Sequence, residues 1–163
     1  MSSLKNIINI GSLSQLSFKE IVDKISDGEN FQDIFGISDE MMQEFYKISM
    51  DYFNNKQFQE ASDCFLFLTS LNPFESNLWI KSGNAEYALG HFSEALSAYS
   101  LAMLWDANDP FPHFYSAEAY HMLNDHHLAK ECLNICLRLI EEHLEYKPLL
   151  EPAHKLLESI TRR

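Results

Sequence analysis

Apolar residues recur along this chain with a helical period, and the helices they outline recur in turn. Ala61, Ala95 and Ala129 stand 34 residues apart. Aligned on them, Phe58, Phe92 and His126 fall three residues earlier, Phe65, Tyr99 and Leu133 four later, and Phe45, Trp79 and His113 sixteen earlier. A small residue follows the last set at Ser49, Gly83 and Ala117. Spacings of three and four put each set on one face of an amphipathic helix. The breaks fall between the helices so outlined: Asn54-Asn55, Gly90-His91 and Asn124-Asp125 inside each pair, Asn72-Pro73 and Asn108-Asp109-Pro110 between pairs. Pro73 and Pro110 lack a backbone donor and restrict the preceding residue, so helices end there.

Further helices are predicted on either side. Ser17 with Glu20 forms a capping box ahead of an apolar stripe of Phe18, Ile21, Val22 and Ile25 that stops at Gly28. Ser38 is placed to cap the first repeat helix, with Asp39 and Glu40 in its positive first turn. Beyond the third pair, Ala153, Leu156, Leu157 and Ile160 mark a last helix that begins near Pro152 and turns Lys155, Glu158, Arg162 and Arg163 outward. Residues 1–15 show no clear period and are expected to be frayed or ordered by a partner.

A 34-residue helix-pair period with small residues at the helix crossing is the tetratricopeptide signature. The predicted fold is therefore all-α, a tetratricopeptide-repeat solenoid of three helix pairs at about 42–75, 76–109 and 110–143. An N-terminal helical extension (1–37) precedes a repeat domain (38–163), and the last helix caps the open apolar end. Such folds make binding grooves far more often than active sites.

Composition narrows the partners. The 163 residues are 46% apolar, enough for a core, and carry 12 basic against 24 acidic side chains for a net charge of −12. That balance repels a phosphate backbone and an anionic membrane surface, and favours a basic or apolar peptide. The first ten residues hold a single Lys5 and an apolar run broken by asparagine, unlike a signal peptide. No stretch approaches the roughly 20 apolar residues of a membrane span. Three cysteines, Cys64, Cys132 and Cys136, in a chain read as lacking an export signal predict a reduced, cytoplasmic protein.

The first helix of each pair should line the concave surface. Its inward positions are Tyr46, Met50 and Phe53 in the first repeat, Ile80, Asn84 and Tyr87 in the second, and Phe114, Glu118 and His121 in the third. Six of these nine are aromatic or aliphatic, which predicts a groove that grips apolar side chains of an extended peptide. Phe45, Ile48, Tyr52, Phe58, Phe65, Trp79, Phe92 and Tyr99 are assigned to the core. Glu118 could accept from a client amide or basic side chain, or be solvated. Phe18, Ile21, Val22 and Ile25, with Phe31 and Phe35, offer more apolar surface than one repeat edge should bury, so a symmetric homodimer is expected.

Three segments resemble the class II chaperones of type III secretion, a branch of the tetratricopeptide proteins. These are Tyr46 to Phe58, Phe92 to Ser100, and above all Asp109-Pro-Phe-Pro-His-Phe-Tyr-Ser-Ala-Glu118, where two prolines flank Phe111. The resemblance spans about Ile37 to Ile140. It implies a bacterial cytoplasmic chaperone that holds hydrophobic translocator proteins until export. The client would lie in the concave groove as an extended segment with spaced prolines and a leucine, and dimerisation would use the N-terminal helices. By position, the resemblance carries groove roles onto Tyr46, Met50, Phe53, Phe58, Ile80 and Tyr87. Glu86 and His113 depart from the family, where aromatic or large apolar residues are usual.

Other chemistry is poorly supported. No glycine-rich phosphate loop, zinc-protease motif or serine elbow occurs. Cys132 and Cys136, four apart near His126 and His127, read as buried helix residues rather than zinc ligands, and no cofactor is implied. His91, His126 and His127 are expected in solvent on turns. The alternative to the chaperone is a generic repeat scaffold that docks another protein. A scaffold that binds C-terminal tails would need Lys or Arg clamps, and none stands at the nine positions.

Overall fold

The structure is a computed structural model that describes residues 17–162. Expectations for residues 1–15, and for Arg163, lie outside the described residues. No strand occurs among the described residues. The N-terminal extension is α1 (Phe18–Ser26) and a single turn, α2 (Phe31–Ile34). Three antiparallel pairs follow: α3 (Asp39–Asn54) with α4 (Phe58–Leu71), α5 (Ser76–Leu89) with α6 (Phe92–Trp105), and α7 (Phe111–Met122) with α8 (His126–Glu142). A 3₁₀ segment (Leu144–Leu149) leads into the last helix, α9 (Leu150–Thr161).

The predicted start signals operate. The Ser17 side chain accepts from the Glu20 N–H while the Glu20 carboxylate accepts from the Ser17 N–H at 2.7 Å, the reciprocal capping box. Ser38 and Asp125 cap α3 and α8 without the reciprocal half, their side chains accepting from the Met41 and Leu128 N–H groups, and Pro110 sits at the entry of α7. Pro152 falls in the first turn of α9, where its missing donor costs no helical bond.

Two apolar clusters flank the middle repeat. One joins Ile37, Phe45, Phe65, Leu68 and Leu71 to Leu78 and Ala85 of α5. The other joins Phe114, Leu133, Cys136 and Ile140 to Leu149, Ala153 and Ile160, so α9 covers the end of the solenoid as a cap must. Between them the small positions permit close crossing. A Cβ on Gly83 would fall on the Tyr99 ring, 2.7 Å from Cδ1, and Tyr99 is itself 1% exposed.

One core assignment fails: Ile48 is 39% exposed, because α3 is the first repeat helix and no preceding pair covers its outer side. The extension also divides. In α2, Gln32 and Ile34 are buried, and this turn packs against α4. The chief packing partner of α1 is α2, and its Val22 and Ile25 remain 42% and 45% exposed.

Candidate functional site

An aromatic pair repeats along the first helices. Phe53 meets Phe58 edge to face with ring centres 5.4 Å apart, and Tyr87 meets Phe92 likewise at 5.3 Å. In the third repeat the same places hold His121 and His126, with ring centres at 5.2 Å and Nδ1 atoms 3.3 Å apart. Each pair staples the end of a first helix to the start of a second. Each leaves a partly exposed ring at the inner edge, and His126 is therefore partly buried rather than free in solvent.

Around Phe53 the inner face opens into a cleft of about 30 Å³, lined by Met50, Phe53, Phe65, Lys81 and Asn84. Asn84 is held by the Tyr99 hydroxyl, which donates to its Oδ1 at 2.9 Å. Tyr46 stands half-buried one turn toward the start of α3, edge-on to Phe65 at 6.0 Å. Tyr46, Met50, Phe53 and Asn84 thus come together. Tyr87 and Glu118 lie farther along, where burial pushes the Glu118 carboxyl above the ordinary carboxylate range; burial, with the Glu118 charge adding to it, raises the Tyr87, Tyr99 and Tyr115 phenols.

Two expected groove residues lie elsewhere. Ile80 and Phe114 are 6% and 8% exposed and belong to the core. One residue past the bulky early position of a first helix is open only in the first repeat. Ile80 and Phe114 occupy that place in later repeats, and Phe114 packs in the cluster that the third pair shares with the cap. Phe58 is partly buried beneath Phe53. Lys81 was missed, since it sits one residue outside the counted stripe, yet it brings a cation to the cleft.

A larger cavity of about 340 Å³ opens beyond Tyr46, where α2, the first turns of α3, the 72–75 connection and the start of α5 meet. Gln32, Asp39, Gln43, Asn72, Glu75 and Asn77 supply its polar wall. Met42, Tyr46 and Leu78 form the rest. The sequence placed Asp39 in a helix first turn and Asn72 at a break but brought none of these residues to the groove, because they come from separate elements and share no periodic face.

The departures from the family pattern have local partners. Glu86 accepts from the Ser62 hydroxyl across the repeat boundary and contacts His91 Nδ1 at 2.8 Å. His113 is half-buried, which with nearby Arg138 lowers its pKa. Burial pushes the Cys132 and Cys136 thiols up to about 11 and about 12, so both stay protonated at neutral pH. Among the described residues no group of three or more His, Cys, Asp or Glu could hold a metal ion, and no helix is long and apolar enough to cross a membrane. Of the expected dimer residues, Ile21 is partly exposed beside Val22 and Ile25; Phe18 opens α1, and its side chain lies outside the described residues.

The described helices form a three-pair solenoid with aromatic side chains along the first helix of the first two pairs. No family model matches the chain. It is 23% identical over 124 residues to the low calcium response locus protein H of Yersinia pestis, covering 76% of this chain and 74% of that one. It is 24% identical over 149 residues to the chaperone protein SicA of Salmonella typhimurium, covering 86% and 82%.

Solved structures agree in fold. A chain of a type III secretion complex from Aeromonas hydrophila superposes with a TM-score of 0.83 at 22% identity, over 88% of this chain and 96% of that one. PcrH in complex with the chaperone binding region of PopD gives 0.75 at 24%, over 78% and 96%. An alternative dimer of the Yersinia enterocolitica translocator chaperone SycD gives 0.73 at 22%, over 77% and 95%. The resemblance to the secretion chaperones thus holds in both sequence and fold.

Proposed function

We propose that this protein is a cytoplasmic chaperone of a bacterial type III secretion system. It holds a hydrophobic translocator by an extended segment in the inner groove and prevents aggregation or premature association before export. The observation that carries this reading is the open aromatic face of α3, Tyr46, Met50 and Phe53, which meets the polar edge of α5 across a cleft and has no covering element among the described residues. Relatives described as chaperones, and fold neighbours crystallised with translocator segments, support it. The uncovered Val22 and Ile25 of α1 support a homodimer through the N-terminal extension.

The test is co-purification with the translocator candidates of its own bacterium's secretion system. Truncating a buried aromatic anchor costs about 2 kcal/mol, near a thirtyfold loss. Tyr46→Ala with Phe53→Ala should weaken client binding by at least that while circular dichroism stays unchanged; unchanged affinity would reject the groove. Lys81 gives the scaffold alternative its one foothold, since it could clamp a terminal carboxylate. A chaperone holding an internal segment binds amidated and free-acid peptides alike, whereas a tail-binding scaffold prefers the free acid.

A further inference from the structure

We propose that the cavity beyond Tyr46 is a cation subsite. It takes an arginine or lysine side chain of the bound segment, about four residues from the apolar side chain that enters between Met50 and Phe53. This deepens the groove reading and rests on it.

The cavity wall carries two carboxylates among amide side chains that can donate or accept. Asp39 stands on the first turn of α3 and Glu75 on the connection before α5, and neither has a cationic partner among the ion pairs of the described residues. Gln32 is fixed between Asp39 and Asn72 of the connection. It is 7% exposed, its amide donates to Asp39 Oδ1 at 2.8 Å, and its carbonyl accepts from Asn72 Nδ2 at 3.3 Å. The N-terminus of α3 offers no competing anion site, because Ser38 already occupies it, accepting from the Met41 N–H at 3.3 Å. Two carboxylates from different elements lining one cavity suit a guanidinium or ammonium group, and charge-assisted hydrogen bonds are the strong ones.

The remaining wall suits the stem of such a side chain. Met42, Tyr46 and Leu78 present apolar surface, along which the methylenes of Arg or Lys pack while the charged head stays polar. A volume of about 340 Å³ falls within the range of ligand sites, roughly 300–1,000 Å³.

Continuity with the groove fixes the register. Tyr46 lines the cavity and also stands one turn from Met50 at the small cleft. From the middle of the cavity's α3 wall to the cleft is about nine residues of helix, or about 13 Å at 1.5 Å per residue. An extended peptide covers that in about four residues at roughly 3.3 Å each.

The test uses the full chain and fluorescein-labelled peptides carrying one leucine flanked by prolines, read by fluorescence anisotropy. The residue four before or four after the leucine is arginine in one set and citrulline, its neutral isostere, in the other. In one of the two registers the arginine peptide should bind about tenfold more tightly than its citrulline partner. That gap should close in the Asp39→Asn, Glu75→Gln chain and shrink as salt rises. Phe53→Ala should weaken both peptides alike. Equal binding of arginine and citrulline peptides in both registers, with Phe53→Ala still weakening them, overturns the subsite and leaves the groove standing. A gap that survives Asp39→Asn, Glu75→Gln places the cation elsewhere and also overturns it. If no peptide binds at all, the groove reading falls and the subsite with it.

Discussion

Lys56, Gly90 and Asn124 stand 34 residues apart, and each has a positive φ, at 61°, 83° and 62°. Each closes the turn inside a helix pair. At all three the next N–H reaches back to a carbonyl five residues earlier: Gln57 to Tyr52, His91 to Glu86, Asp125 to Tyr120. The left-handed conformation costs an L-residue about 1–2 kcal/mol, is free for glycine and is best tolerated otherwise by asparagine. Only Lys56 breaks this chemistry, and its side chain is exposed. Lys56→Gly should therefore stabilise the protein by about 0.5–1 kcal/mol in urea denaturation, after allowing for glycine's larger unfolded-state entropy. Gly90→Ala should shift the midpoint the other way. A loss on Lys56→Gly would mean that the lysine makes a contact worth more than the strain.

Among the described residues, helix α1 has an apolar stripe that stays partly exposed, with Val22 and Ile25 open. Ile21, Val22 and Ile25 share a face, and the helix beyond it is held mainly by its own capping box and by α2. If that face makes the dimer, Val22→Asp with Ile25→Asp should convert full-length protein from dimer to monomer in light scattering at tens of micromolar. The repeat fold should survive, since α2 clasps the first pair independently of α1. An unchanged dimer would move the interface elsewhere, and a wild-type monomer would leave no dimer at all. The same elements show how far the sequence could be read. Helix pairs, caps and turns were legible because each follows from a short local pattern. Ile80 and Phe114 were misplaced because their burial depends on how other elements pack, as the third pair and cap do around Phe114, and not on the period of their own helix. The cavity around Gln32, Asp39 and Glu75 could not be read, because the segments that meet there are joined by packing, and no local period marks a residue as a wall.

Across the whole molecule the two apolar clusters imply graded stability. The first spans α3, α4 and part of α5, and the second spans α7, α8 and the α9 cap, with the middle repeat as the link. In a solenoid each unit is stabilised by its own packing and its nearest interfaces, so damage at one end should spread by neighbours rather than all at once. Ala153 is 0% exposed within the second cluster. Ala153→Asp would bury a carboxylate inside an apolar cluster, a loss of about 3 kcal/mol or more. Hydrogen exchange should then show α7, α8 and α9 losing protection while α3 and α4 keep theirs. The groove around Tyr46 and Phe53 lies at the protected end, so a peptide bound there should keep most of its affinity in the same variant. Uniform loss of protection from α3 to α9 would show one cooperative unit, and a proportionate loss of peptide affinity would show that the groove depends on the cap.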